Sequence, residues 1–364
     1  MHSQNDSEVE SKRDVLVGNR TIPWMVSGLE QEYWQLHQSS GFIDCSHAQW
    51  VKLSGRDAAA FLHNLSTNDI MGLSDQHWCT TFFCDHRAKT LFFCEVYKKI
   101  SKEGSIFELK IDAPYAPELF AHLDKHLISE VVTIEMLNPP RAVFLICGAT
   151  AGAWIEENLG VPAEQLPQRQ IIESKIADIP VSLCTDSRLG FPGIAIHVSE
   201  EFAGQLIQLF RDNFLPQIGL KCYDTCRLEA GMPKLGKDFD NNRFVMEIGR
   251  ALESVSYSKG CYLGQEPIVM SRDRTGFVNR SWVLMKAISS IEIQPQSEVI
   301  SEELAPIGIV TSTAWSPGLD GWIVGAYLRR GFQNAGTNVK IRSGDSEIEA
   351  SVLGTVAGNK RITM

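Results

Sequence analysis

Lys259-Gly260-Cys261-Tyr262-Leu263-Gly264-Gln265-Glu266 is the stretch from which the rest of this chain is read. It sets a cysteine beside a lysine and a glycine, then a second glycine ahead of a Gln-Glu pair. Glycine admits a backbone of positive φ or a close approach to a ligand. A neighbouring ammonium favours thiolate, and Gln265 with Glu266 offers donors and acceptors side by side. Cys261 and Lys259 are therefore candidate catalytic residues, carried in a loop formed by Gly260, Tyr262, Gly264, Gln265 and Glu266. The same residues fit a tight turn between a strand and a helix with a merely buried cysteine. This stretch by itself leaves both readings open.

Composition narrows the setting. A chain of 364 residues, 44% hydrophobic and 21% charged, is long enough for two or three domains with proper cores. A formal net charge of -10 opposes non-specific binding to a polyanion, so no nucleic-acid partner is expected. No run is long and apolar enough to span a bilayer, and Met1 to Asn19 lacks the apolar segment of a signal peptide. Nine cysteines without a leader point to free thiols in a reducing, cytoplasmic setting with no membrane partner.

Outward from the octet, the N-terminal residues are polar and read as a mobile tail over 1–28. An α+β region is expected over 29–280. Leu29 to Ser40, Ala58 to Leu65, Pro114 to Ile128, Thr150 to Leu159 and Glu200 to Phe214 have helical spacing. Phe42 to Cys45, Trp50 to Leu53, Ile106 to Ile111, Val131 to Met136 and Arg141 to Cys147 read as strands. Trp78 to Tyr97 reads as two strands about a polar turn, and Ile179 to Val198 as a hairpin around Arg188 to Gly193. The alternation of strands and helices suggests a layer of split βαβ type. Over 281–364 only short strands remain, predicting a small C-terminal β-barrel. Cys79, Cys84 and His86, and the pairs His122/His126 and Cys222/Cys226, each lack further ligands in sequence, so no metal site is assigned.

Several segments together resemble one superfamily. The octet resembles the signature of the YgfZ family, folate-binding relatives of the glycine-cleavage T-protein, an aminomethyltransferase. Gly41 to Ser46, Leu53 to Ala58, Phe61-Leu62 with Thr67-Asn68-Asp69, and Arg227-Leu228-Glu229-Ala230-Gly231-Met232-Pro233 resemble further segments in the expected order. The resemblance implies an α+β, three-domain ring with two intertwined subdomains and a C-terminal barrel, and tetrahydrofolate as cofactor in the central hole. It implies folate contacts at Glu229 and Arg227, with Asn68 and Asp69 as further candidates. It also implies support of iron-sulfur enzyme maturation or repair through Cys261, with iron-sulfur proteins or assembly factors as partners. The alternative it implies is a folate-dependent aminomethyltransferase, methyltransferase or demethylase. T-proteins carry an acid on the strand matching Thr90 to Cys94, where this chain has Phe92 and Phe93, and an apolar ring cannot move a proton.

Overall fold

The computed structural model describes residues 14–17, 20–102, 104–138, 140–163 and 166–355. Of the tail expected over 1–28, residues 1–13, 18 and 19 lie outside that set. The remainder carries a ribbon of β1 (Val15–Val17) and β2 (Arg20–Ile22). Single anchoring side chains hold it: Ile22 is buried, and Arg20 pairs with both Asp44 and Glu200.

From α1 (Leu29–Gln38) the chain enters β3 (Gly41–Asp44), then leaves for β4 (Gln49–Ser54), α2 (Ala58–Leu65), β5 (His77–Cys84), β6 (Thr90–Ser101), β7 (Gly104–Ile111), α3 (Ala116–His126) and β8 (Thr133–Met136). These strands pair antiparallel in the order β5-β6-β7-β4-β8. The chain then returns through β9 (Arg141–Cys147), α4 (Ala151–Leu159), β10 (Ile171–Ile176), β11 (Ile179–Thr185), β12 (Gly193–Ser199), α5 (Ala203–Asp212) and β13 (Gln217–Ile218). The second sheet runs β10-β11-β12-β9-β3-β13.

The single split βαβ layer expected from element order is thus two sheets, one inserted between β3 and β9 of the other. The cause lies in β3 and β9, which are apolar on both faces. Phe42, Phe144 and Ile146 pack into a core with α4 and α5, while Ile43, Val143 and Leu145 face a second core with α1. Strands buried on both faces belong inside a sheet and pair with each other, whatever their separation in sequence.

Next come α6 (Leu220–Glu229), α7 (Ala251–Ser254) and α8 (Gln265–Met270). The barrel follows: β14 (Arg280–Ala287), β15 (Glu298–Ile300), β16 (Pro306–Ser316), β17 (Gly321–Arg329), β18 (Asn338–Ser343) and β19 (Ser346–Gly354). It closes in the order β14-β17-β16-β15-β18-β19, filled by alternate residues such as Val283, Met285, Val324, Ala326 and Ile341. Helix α6 joins the parts. Cys222 and Cys226 pack toward the six-stranded sheet, while Leu228 packs on Trp282, Leu284 and Tyr327 of the barrel.

Candidate functional site

Between the two sheets and α6 lies a cavity of about 900 Å³ counting its open mouth. Phe93 and Glu95, two apart on β6, point to the same side of the strand and line it. Lys110 of β7, Arg188 of the β11–β12 loop, and Tyr223 and Arg227 of α6 also line it.

Its charges are paired. Arg188 pairs with Glu95 and with Asp186, which also accepts from the Arg188 backbone N–H at 3.0 Å. Lys110 Nζ lies 3.3 Å from Glu95, and the Tyr97 hydroxyl donates to Glu95 at 2.5 Å. Burial alone would raise the Glu95 pKa, but Arg188 and Lys110 outweigh it and hold the carboxyl below its usual range. Burial likewise works against the Arg188 charge, and Asp186 and Glu95 overcome it. His47, also on the wall, is pushed down to about 4 by burial and then by Lys234, and its Nδ1 has no hydrogen-bond partner among the described residues.

The family-suggested folate contacts divide. Arg227 reaches the cavity wall but is committed: it donates to Asp224 at 2.7 Å, the Met232 carbonyl at 3.0 Å and Ser312 at 3.0 Å. Glu229 is buried elsewhere, accepting from Ser316 at 2.6 Å and Tyr33 at 3.3 Å. Residues two apart on a helix point to nearly opposite faces, so α6 cannot offer both to one cavity. Tyr223, four residues before Arg227, shares its face, and that spacing was the available signal for it. Asn68 donates to the Thr80 and Glu253 carbonyls at 2.8 and 3.1 Å, and Asp69 accepts from Gly72 at 2.8 Å. Neither lines the cavity; both fold the turn after α2, the role small polar residues commonly fill.

In the octet the lysine and the cysteine part company. Lys259 is buried and donates to the carbonyls of His63, Ser66 at 2.6 Å and Asn68 at 3.0 Å, which closes the C-terminal end of α2. Its ammonium lies 4.7 Å from the centre of the buried Tyr262 ring, and burial pushes its pKa down to about 8. It therefore serves as an internal strut between the end of α2 and the octet. Gly264 is required: at φ 83 its Cβ would stand 2.5 Å from the Asp85 carbonyl oxygen. A Cβ on Gly260 meets nothing within 4 Å. Cys84 donates to the Leu263 carbonyl at 3.2 Å, fixing the loop from below. Gln265 and Glu266 open α8, with Glu266 exposed.

Of nine cysteines, Cys261 alone is exposed, and it contributes nothing to the cavity wall. Burial raises buried thiols such as Cys45 and Cys184 to about 12. Glu95, Arg188, Lys110 and His47 were not singled out from sequence. Glu95 gave a signal, as a lone acid inside an apolar strand, whereas Arg188 read as part of a turn.

Residues 17–252 match the family described as the GCVT N-terminal domain, and residues 283–357 the glycine cleavage T-protein C-terminal barrel domain. A protein named aminomethyltransferase from Caldanaerobacter subterraneus subsp. tengcongensis is 23% identical, over 91% of this chain and 88% of its own length. One of the same name from Alkaliphilus oremlandii is 24% identical, over 90% and 88%. The crystal structure of glycine cleavage system aminomethyltransferase T from Bartonella henselae is similar in fold, with a TM-score of 0.81 at 21% identity over 99% of this chain and 98% of that one.

Proposed function

This chain belongs to the glycine cleavage T-protein family, and on that premise we propose that it binds tetrahydrofolate in the central cavity and acts through Cys261 in the maturation or repair of iron-sulfur enzymes, as a YgfZ-like protein. The cavity residues suit the ligand. Phe93 and Tyr223 supply ring faces for a flat heterocycle, Glu95 accepts from the donor edge of a pterin, and the orphaned Nδ1 of His47 is open to a polar partner.

One observation carries the reading: Phe93 stands on the cavity wall where the T-protein resemblance expects an acid, while the single exposed thiol lies outside it. The nearby carboxylate, Glu95, is held ionised by two cations and is a poor match for a proton transfer near neutrality. Bound folate would supply a reduced one-carbon carrier. The chain's residues orient it, exclude water and present Cys261 separately.

Calorimetric titration of the purified protein with tetrahydrofolate tests the first half, and saturable binding is expected. Iron-sulfur enzyme activity in cells carrying only Cys261→Ser tests the second. Activity is expected to fall as in cells without the protein, and unchanged activity would sink the thiol role.

A second reading, a folate-dependent aminomethyl- or methyltransferase, is favoured by the names of the relatives, which match this chain over nine-tenths of its length. It predicts turnover of tetrahydrofolate with an aminomethyl or methyl donor, abolished in Glu95→Gln and unaffected in Cys261→Ser.

A further inference from the structure

The last turn of α2 holds the octet on both sides of Cys261. The His63 carbonyl accepts from the Lys259 ammonium, two residues before the thiol. The Asn64 carbonyl accepts from the Leu263 N–H at 3.1 Å, two residues after it. Cys261 is therefore mounted between two tethers to consecutive residues of one helix.

The side chain of the same His63 is a junction of its own. It is 8% exposed. Its Nδ1 accepts from the Met71 N–H at 3.3 Å, and the Asp69 carboxylate stands 3.3 Å from the same nitrogen. One ring nitrogen cannot accept from an amide and donate to a carboxylate at once. The Met71 N–H aimed at Nδ1 makes it the acceptor, so the ring is neutral with its proton on Nε2.

Gaining a proton reverses that arrangement. Nδ1 becomes a donor to Asp69, and the Met71 amide loses this acceptor. The imidazolium also sets a second positive charge beside the Lys259 ammonium, which forms one of the two tethers. Burial and then Lys259 lower the His63 pKa, and Asp69 works against them. Those two are the charged groups that face the ring among the described residues, Asp69 from the turn after α2 and Lys259 from the octet. The folded chain thus holds this proton less tightly than a free histidine with its pKa of 6.5. Stability from the neutral ring is present above 6.5 and is lost as pH falls through the lowered folded value.

We infer that His63 is an acid-sensitive switch for the mount of Cys261. In its neutral form it ties the turn after α2 through Met71. On protonation it engages Asp69, repels Lys259 and loosens the octet. Its bearing on iron-sulfur enzymes rests on the Cys261 reading above, whereas the switch itself does not.

NMR titration of the full chain from about pH 7.5 to about 5 tests this. The His63 ring is expected to titrate below 6.5, and the Met71 amide shift to follow it with the same midpoint. Hydrogen-exchange protection of the Leu263 amide, corrected for the intrinsic pH dependence of exchange, reads the tether. Between 6.5 and that midpoint it is expected to fall by up to about tenfold per pH unit, the limit for one proton taken up on opening. His63→Gln keeps an acceptor for the Met71 N–H and takes up no proton, so both responses are expected to vanish. Asp69→Asn keeps an acceptor for the Gly72 N–H but not the charge, so the midpoint is expected to move lower with the response retained. The switch is overturned by a Met71 amide that stays still while His63 titrates, by Leu263 protection independent of pH, or by a response that survives in His63→Gln. A midpoint unmoved in Asp69→Asn overturns it as well. If His63→Gln does not fold, the unaltered chain and Asp69→Asn decide by the same midpoints. Should Cys261→Ser leave iron-sulfur enzyme activity unchanged, the thiol reading falls and these midpoints still stand.

Discussion

The central cavity and the Lys259–Glu266 loop handle charge in opposite ways. In the cavity, buried charges are tied to one another: Arg188 bridges Glu95 and Asp186, and Lys110 backs Glu95. In the loop, the one buried charge, Lys259, is spent on backbone carbonyls, and the thiol is left in solvent. A cavity built this way is shaped before a ligand arrives, whereas the loop is a rigid mount for one exposed atom. The difference predicts that cavity substitutions act through stability and ligand binding together, while the loop separates the two.

The largest effect is expected from Arg188→Met. It leaves Glu95 with Lys110 and the Tyr97 hydroxyl and Asp186 without its cation, and breaking a buried pair by removing one partner costs about 3–5 kcal/mol. Arg188 is partly exposed, so the lower end of that range is expected. Chemical denaturation should show the loss of stability and titration the loss of folate binding. A variant as stable as the parent would break the picture of an interlocked wall.

The loop gives a sharper contrast between its two glycines. Gly264→Ala forces a Cβ to within 2.5 Å of a backbone oxygen at positive φ, and a loss of roughly 2 kcal/mol or more is expected. Gly260→Ala places its Cβ in open space, and a change within about 0.5 kcal/mol is expected. Thermal denaturation of the pair checks this, and equal shifts would mean the mount is not rigid.

These contrasts show where the sequence was readable. The helix over Ala58–Leu65 and the barrel strands follow from local spacing and turns, which nearby residues determine. The insertion of one sheet into the other rests on β3 pairing with β9 across a long intervening segment, which no local pattern reveals. The octet around Cys261 stood out because it is short and contiguous, and the structure shows its thiol exposed. The carbonyl partners of Lys259 were not legible, because they belong to the end of α2 and the turn after it, which the fold brings to the octet. Glu229 lies off the cavity wall by helix phase, being opposite Arg227. Arg188 and Glu95 meet only because a loop of one sheet reaches a strand of the other.

A smaller effect distinguishes the cavity by pH. His47 titrates near 4 in the fold against about 6.5 when unfolded, so between those values the unfolded chain binds the extra proton. Stability contributed by neutral His47 is therefore present above pH 6.5 and is lost as pH falls toward 4. His47→Gln should flatten that part of the pH dependence of the unfolding free energy. A curve parallel to that of the unaltered protein would mean that burial of the imidazole does not penalise its charged form.

The smallest change in stability is expected at the residue with the largest expected consequence in cells. Cys261→Ser removes an exposed sulfur that no described contact uses for packing, so unfolding should shift by less than about 0.5 kcal/mol. Thiol labelling measures the same distinction directly. In the native protein a maleimide should react rapidly at one cysteine of nine, while the eight buried thiols wait for unfolding. In Cys261→Ser the rapid phase should vanish with the slow phase unaltered, because solvent access favours the exposed group and burial pushes the pKa of buried thiols such as Cys45 and Cys184 up to about 12. Rapid labelling at a second position would show that the cavity side opens on the labelling time scale. The contrast between a closed, charge-locked wall and a single presented thiol would then fail at the wall, even with the loop intact.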